Sequence, residues 1–122
     1  ARALKKRRPQ IRTYAVEPAR APILAGGTVV DTRHKIQGAG YAQIPPLWDP
    51  AFCDGYLGIS DDDAIEVARR LAREEGVFGG FSTGANVAAA LRLAAEAEPG
   101  TLIVTTANDT GLKYLSTDLF PE

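Results

Sequence analysis

The stretch Tyr56-Leu-Gly-Ile-Ser-Asp-Asp-Asp-Ala-Ile-Glu-Val-Ala-Arg-Arg-Leu-Ala-Arg-Glu-Glu-Gly76 decides the fold. Its opening, Tyr56 to Ile59, reads as a short strand. Ser60 then supplies an N-cap oxygen, and Asp61, Asp62 and Asp63 place negative charge where the helix dipole is positive. The apolar residues Ala64, Ile65, Ala68, Leu71 and Ala72 recur at i, i+1, i+4, i+7 and i+8, one stripe of a 3.6-residue period, while Glu66, Arg69, Arg70 and Arg73 fall mostly elsewhere. Gly76 can close this helix in the left-handed conformation. A strand that feeds directly into an amphipathic helix is one half of a βαβ unit.

The same alternation extends in both directions. Upstream, Ile11 to Val16 is rich in β-branched and aromatic residues and reads as a strand ended by Glu17-Pro18. Downstream, Val77 to Phe81 leads into Ser82-Thr83-Gly84, and the alanine- and leucine-rich run from Ala85 to Ala97 reads as a largely buried helix stopped by Pro99-Gly100. Thr101 to Thr106 has the short β-branched run of an inner parallel strand, with a turn at Asn108 to Gly111. Strands alternating with helices call for a mostly parallel sheet covered on both faces, an α/β fold of three αβα layers. Between Glu17 and Pro50 the glycines and prolines point to loops, with a short helix near Ile23; a loop stretch this long is usually functional. Ala1 to Pro9 reads as the end of a helix, basic where the dipole is negative and stopped by Pro9. No capping residue precedes it, the pattern of a chain entered partway through a larger sequence.

Composition narrows the partners. Among 122 residues, 14 Lys and Arg nearly balance 15 Asp and Glu, so no net field favours nucleic acid or an anionic membrane. Apolar runs such as Val87 to Leu91 are far below the roughly 20 residues of a membrane span. Cys53 is the sole cysteine, which excludes an internal disulfide and a multi-cysteine metal cage. A soluble cytoplasmic protein with a small-molecule or protein partner and no metal is expected.

Four segments carry a family resemblance. They are Ala15-Val-Glu-Pro18, His34-Lys-Ile-Gln-Gly-Ala-Gly40 continuing to Ile44-Pro45, Gly80-Phe-Ser-Thr-Gly-Ala85, and Asp109-Thr-Gly-Leu-Lys-Tyr-Leu-Ser-Thr117. In order and separation they resemble the C-terminal half of cysteine synthase (O-acetylserine sulfhydrylase) and its relative cystathionine β-synthase. The last three are similar to the family's His-Lys-Ile-Gln-Gly-Ile-Gly, Gly-Ile-Ser-Ser-Gly-Ala and Asp-Ser-Gly-Glu-Arg-Tyr-Leu-Ser-Thr. The resemblance implies a fold type II enzyme dependent on pyridoxal 5'-phosphate, with residues 1–122 forming part of the larger, C-terminal domain. It implies β-replacement on an activated serine, O-acetylserine plus sulfide giving cysteine. The Schiff-base lysine and the phosphate-binding loop are then expected upstream of Ala1, leaving no catalytic residue here and a fragment unable to catalyse alone. Lys5, Lys6, Lys35 and Lys113 do not match the family's lysine motif. A homodimer, and the C-terminal tail of serine acetyltransferase as a further partner, are implied in the same way.

Site residues follow from chemistry and resemblance together. Ser82 stands at a helix start, where a hydroxyl caps the helix or points into a cleft, and capping is the commoner role. The resemblance instead has it hydrogen-bond the pyridine nitrogen of the cofactor. Gly38, Ala39 and Gly40 carry little side-chain bulk and allow close approach of main chain to a ligand; the resemblance makes Gln37, Gly38, Ala39 and Gly40 substrate-binding. Tyr41 and Ala42 depart from the family's smaller or apolar residues there, which bears on substrate choice. Asp109 and Thr110, after an expected strand, are cofactor-binding by resemblance, although an Asp at a turn more often satisfies its own backbone. Asn108 replaces the family's proline. Within the same chemistry a cystathionine β-synthase-like or diaminopropionate-forming relative is the alternative; from another class, a non-catalytic module that binds a ligand or a protein.

Overall fold

The computed structural model describes residues 1–121. Its centre is the decisive stretch. Strand β2, Gly55–Ile59, runs into Ser60, whose Oγ accepts the Asp63 N–H at 3.1 Å, and helix α2, Asp61–Arg70, follows. Ala64, Ile65 and Ala68 are its buried residues, the core of the expected stripe. One π-type turn, Leu71–Glu75, continues it to Gly76, which takes φ +68° as the left-handed stop.

Strand β1, Tyr14–Pro18, lies parallel to β2, in register from Tyr14 opposite Gly55 to Pro18 opposite Ile59. It starts three residues later than the expected Ile11 and runs two beyond Val16. Pro18 is tolerated because it occupies the last ladder position, after which Ala19 N–H donates to Ile59 O at 2.8 Å. The α/β class with a parallel sheet is therefore what forms, as a two-stranded sheet among the described residues.

A third element, helix α3, spans Phe81–Glu96 and begins four residues before the expected Ala85. Ser82, Thr83 and Gly84 are weak helix formers, which is why the sequence suggests a boundary there. Packing overrides that preference. A β-carbon on Gly84 would sit 2.0 Å from Ala64 O, so glycine is what lets α3 approach the backbone of α2. The two helices bury small faces against each other: Ile36, Ile59, Ala64, Ala85, Ala88 and Ala89 form one apolar cluster. Ile65, Ala68, Phe81, Tyr114 and Leu119 form a second. Burying a side chain such as Phe81 or Leu119 contributes about 1.5–3 kcal/mol.

Two expected elements are absent among the described residues. The run 101–106 makes no ladder, and Leu102 and Val104 are 86% and 81% exposed. β-propensity needs a neighbouring strand to act on, and none lies beside it. Near Ile23 a hydrogen-bonded turn replaces the short helix, because the Glu17 carboxylate takes the Leu24 and Ala25 N–H groups at 2.9 and 3.0 Å. At the N-terminus, helix α1, Arg2–Arg7, is basic in its last turn as expected, and Lys5 pairs with Asp54. No helix of the described residues is long and apolar enough to cross a membrane.

Candidate functional site

A cavity of about 550 Å³ opens where β1 ends. Its wall is built from the strand end at Val16 and Glu17, the loop from Ile36 to Tyr41, the first turn of α3, and the segment from Asn108 to Tyr114. The carboxyl end of a parallel strand beside a helix N-terminus is the usual ligand side of such a sheet. Five of the seven expected site residues line this one cavity: Gln37, Gly38, Ala39, Ser82 and Asp109.

The other two stand outside the wall and do local work. A β-carbon on Gly40, at φ +65°, would lie 2.6 Å from Pro18 Cγ and 2.7 Å from His34 Nε2. Its carbonyl accepts from His34 Nε2–H at 3.1 Å, so His34 shapes the loop. Thr110 pairs with Gly79 in an isolated bridge, and its hydroxyl accepts from Leu112 N–H at 3.4 Å at the head of a short 3-10 turn, Gly111–Tyr114.

Ser82 lies within the first turn of α3 and is not its cap, because Gly80 occupies the N-cap position and offers no side chain. The Gly80 N–H instead donates to Asp109 Oδ1 at 3.2 Å, and Thr83 Oγ1–H donates to the same oxygen at 3.3 Å. Asp109 Oδ2 accepts the Tyr114 hydroxyl. Asp109 therefore does not satisfy its own turn, as an Asp there more often does; its carboxylate ties the head of α3 to Tyr114. Ser82 Oγ is left on the cavity wall, where Asn108 Nδ2–H reaches it at 3.4 Å.

The loop over the cavity is clamped from below. Lys35 N–H donates to Asp61 Oδ1 at 3.0 Å, the Lys35 ammonium pairs with Asp118, and Ile36 is buried in the core. Gly38 takes φ +89°, and its N–H donates to the Tyr41 hydroxyl at 3.0 Å.

Sequence reasoning missed Glu17, Asn86 and Tyr114. Glu17 is 3% exposed, its charge held by two backbone N–H groups. The readable signal was a carboxylate at a strand end directly before Pro18. Tyr114 sits edge-on to Phe81, ring centroids 5.2 Å apart, and burial followed by its bond to Asp109 pushes its phenol up to about 12. A phenol whose folded value exceeds the unfolded 10.0 contributes stability that is fully present below pH 10 and lost as pH rises toward 12. The parent protein should therefore lose stability between pH 10 and about 12 more steeply than Tyr114→Phe, measured by urea unfolding; equal slopes would refute the tie. No group of three or more His, Cys, Asp or Glu among the described residues could hold a metal.

Residues 1–109 match the family described as pyridoxal-phosphate dependent enzyme. Cysteine synthase 3 of Caenorhabditis elegans is 43% identical over 122 residues, covering 99% of this chain and 36% of its own length. Among solved structures, O-ureido-L-serine synthase superposes with a TM-score of 0.91 at 40% identity, over 98% of this chain and 37% of that one. The O-acetylserine dependent cystathionine β-synthase of Helicobacter pylori gives 0.89 at 37% identity, over 99% and 39%. The chain thus spans little more than a third of the length of these relatives.

Proposed function

Because the chain belongs to the pyridoxal-phosphate dependent enzyme family, we propose that it is the C-terminal portion of an enzyme that replaces the β-substituent of an activated serine. O-acetylserine plus sulfide giving cysteine is the favoured reaction. The observation that carries this reading is Ser82, a neutral hydroxyl on the wall of a cavity that also holds the Gln37, Gly38 and Ala39 loop.

The residues fit the cofactor. The volume, about 550 Å³, lies within the range of small-molecule sites. Both carboxylates of the wall are engaged, Glu17 by the Leu24 and Ala25 N–H groups and Asp109 by Gly80 and Tyr114, and among the donors of the wall the resemblance selects the Ser82 hydroxyl for the ring nitrogen. When bound, pyridoxal phosphate supplies an electron sink for loss of the α-proton and expulsion of the β-substituent. Ser82 donates a hydrogen bond to the ring nitrogen without adding a formal charge, so the sink stays mild and β-elimination is favoured over other carbanion routes. Gln37, Gly38 and Ala39 cover the substrate and exclude water, and Gly40 holds that loop against Pro18. Asp109 serves the site by fixing the head of α3. The cofactor-bearing lysine and the phosphate loop lie in the part of the enzyme outside these 122 residues.

A second reading within the same chemistry is favoured by Tyr41, which lines the cavity and depends on the loop for its orientation. A bulkier acceptor thiol, as in a cystathionine-forming enzyme, would meet that ring. A diaminopropionate-forming activity is the further arm. The cytoplasm and a homodimer complete the proposal, the first on the free Cys53; sedimentation of the intact protein tests the second, and binding of a serine acetyltransferase C-terminal peptide tests that partner.

The deciding experiment loads the full-length protein with pyridoxal phosphate and supplies O-acetylserine with sulfide, homocysteine or ammonia in parallel. A visible cofactor band and preferential release of cysteine are expected. Preference for homocysteine would move the assignment to the cystathionine branch, and absence of any band would overturn the enzyme in favour of a non-catalytic binding module.

A further inference from the structure

The hydrogen bonds behind Ser82 have a polarity that can be traced from a backbone atom. Thr106 O is a carbonyl and can only accept, so the Asn86 amide must turn its Nδ2 toward it, at 3.0 Å. The same Nδ2 lies 3.3 Å from Thr106 Oγ1, which therefore accepts on that side and has its own proton to give elsewhere. That proton goes to Asn108 Oδ1, at 2.7 Å. With its oxygen so engaged, Asn108 presents Nδ2–H to Ser82 Oγ at 3.4 Å. Reversing the Asn108 amide would aim two N–H donors at Thr106 Oγ1 and leave the threonine proton without an acceptor. The Ser82 oxygen is thus an acceptor on its Asn108 side, which leaves its own proton to be given elsewhere, and the residue stands on the cavity wall.

We propose that Asn108 is a positioning residue that orients the Ser82 hydroxyl as a donor into the cavity, with Thr106 and Asn86 setting its direction. The inference rests on the reading that Ser82 faces the ring nitrogen. Its backbone adds to the same end: Asn108 N–H donates to Thr83 Oγ1 at 3.1 Å, which holds the asparagine against the first turn of α3. A proline at this position could make neither bond. In a site from which bound ligand excludes water, an oriented donor is stronger than a freely rotating one.

The test compares Asn108→Ala with Asn108→Asp in the full-length protein loaded with pyridoxal phosphate labelled with 15N in its ring, alone and combined with Ser82→Ala. The readouts are the ring 15N chemical shift and the cofactor dissociation constant. Asn108→Ala should move the resonance toward that of a ring nitrogen without a donor and weaken cofactor binding about threefold to tenfold, the worth of one neutral hydrogen bond. Asn108→Asp should do at least as much, because a carboxylate there accepts the Ser82 proton and turns it away from the ring. In the Ser82→Ala background both replacements should lose their effect. The inference is overturned if Asn108→Asp leaves shift and affinity at the parent values, or if its effect persists without the Ser82 hydroxyl, the mark of a merely structural role. If Ser82→Ala itself leaves the ring resonance unmoved, the underlying reading of Ser82 fails and this inference fails with it. If Ser82→Ala moves the resonance and the Asn108 replacements do not, only the role of Asn108 is lost.

Discussion

Gly84→Ala is expected to destabilise the protein by roughly 3 kcal/mol, at the upper end of overpacking costs. Two effects oppose each other. Alanine is the better helix former by about 1 kcal/mol, and Gly84 lies well inside α3. The added carbon, however, would stand 2.0 Å from Ala64 O, an atom of the α2 backbone that no side-chain rotation can move. The helices must separate, and the small-residue cluster of Ala64, Ala85, Ala88 and Ala89 opens with them. In a full-length protein about three times as long, the thermal midpoint should fall by about 4 °C. A midpoint that stays level or rises, as helix propensity alone requires, would refute the close-approach argument. Because Ser82 is two residues away on the same helix, cofactor affinity should fall as well.

Asp109→Ala is the second large effect, expected at about 2–4 kcal/mol. The substitution removes the acceptor for the Gly80 N–H at the head of α3 and for the Tyr114 hydroxyl, a residue only 7% exposed. Each buried donor left without a partner costs about 1–3 kcal/mol. Asp109→Asn keeps one carbonyl oxygen in place and should lose about half as much, so the order parent, Asn, Ala is itself part of the expectation. Guanidinium unfolding of the three proteins measures it. If alanine lies within about 0.5 kcal/mol of the parent, the carboxylate is not the tie described here.

What could be read from the sequence was what local chemistry determines. Ser60, the three aspartates and Gly76 punctuate α2 by their own preferences, and the structure places the helix between them. The small residues of the loop allowed close approach and the family resemblance marked it out, and Gln37, Gly38 and Ala39 line the cavity. What escaped depends on partners distant in sequence. The start of α3 is set by Ala64 across the helix interface, against the propensity of Ser82, Thr83 and Gly84. The run 101–106 has strand chemistry, but a ladder is a property of two segments and no second one lies beside it among the described residues. Asp109 was recognisable as a turn residue; that it would serve Gly80 and Tyr114 depends on the path of the chain between residues 80 and 109.

The Gly38 to Tyr41 bond has a consequence for ligand affinity. A loop that must be ordered by its ligand charges that ordering to the binding free energy, at about 1–2 kcal/mol for each residue fixed. Here the loop carries its own strut, the Tyr41 hydroxyl under the Gly38 N–H, and its base is anchored through Lys35 to both Asp61 and Asp118. Much of the disorder that binding would otherwise remove is already gone in the free protein. The loop is preorganised, so a ligand seated against it would have little ordering of Gln37, Gly38 and Ala39 left to offset.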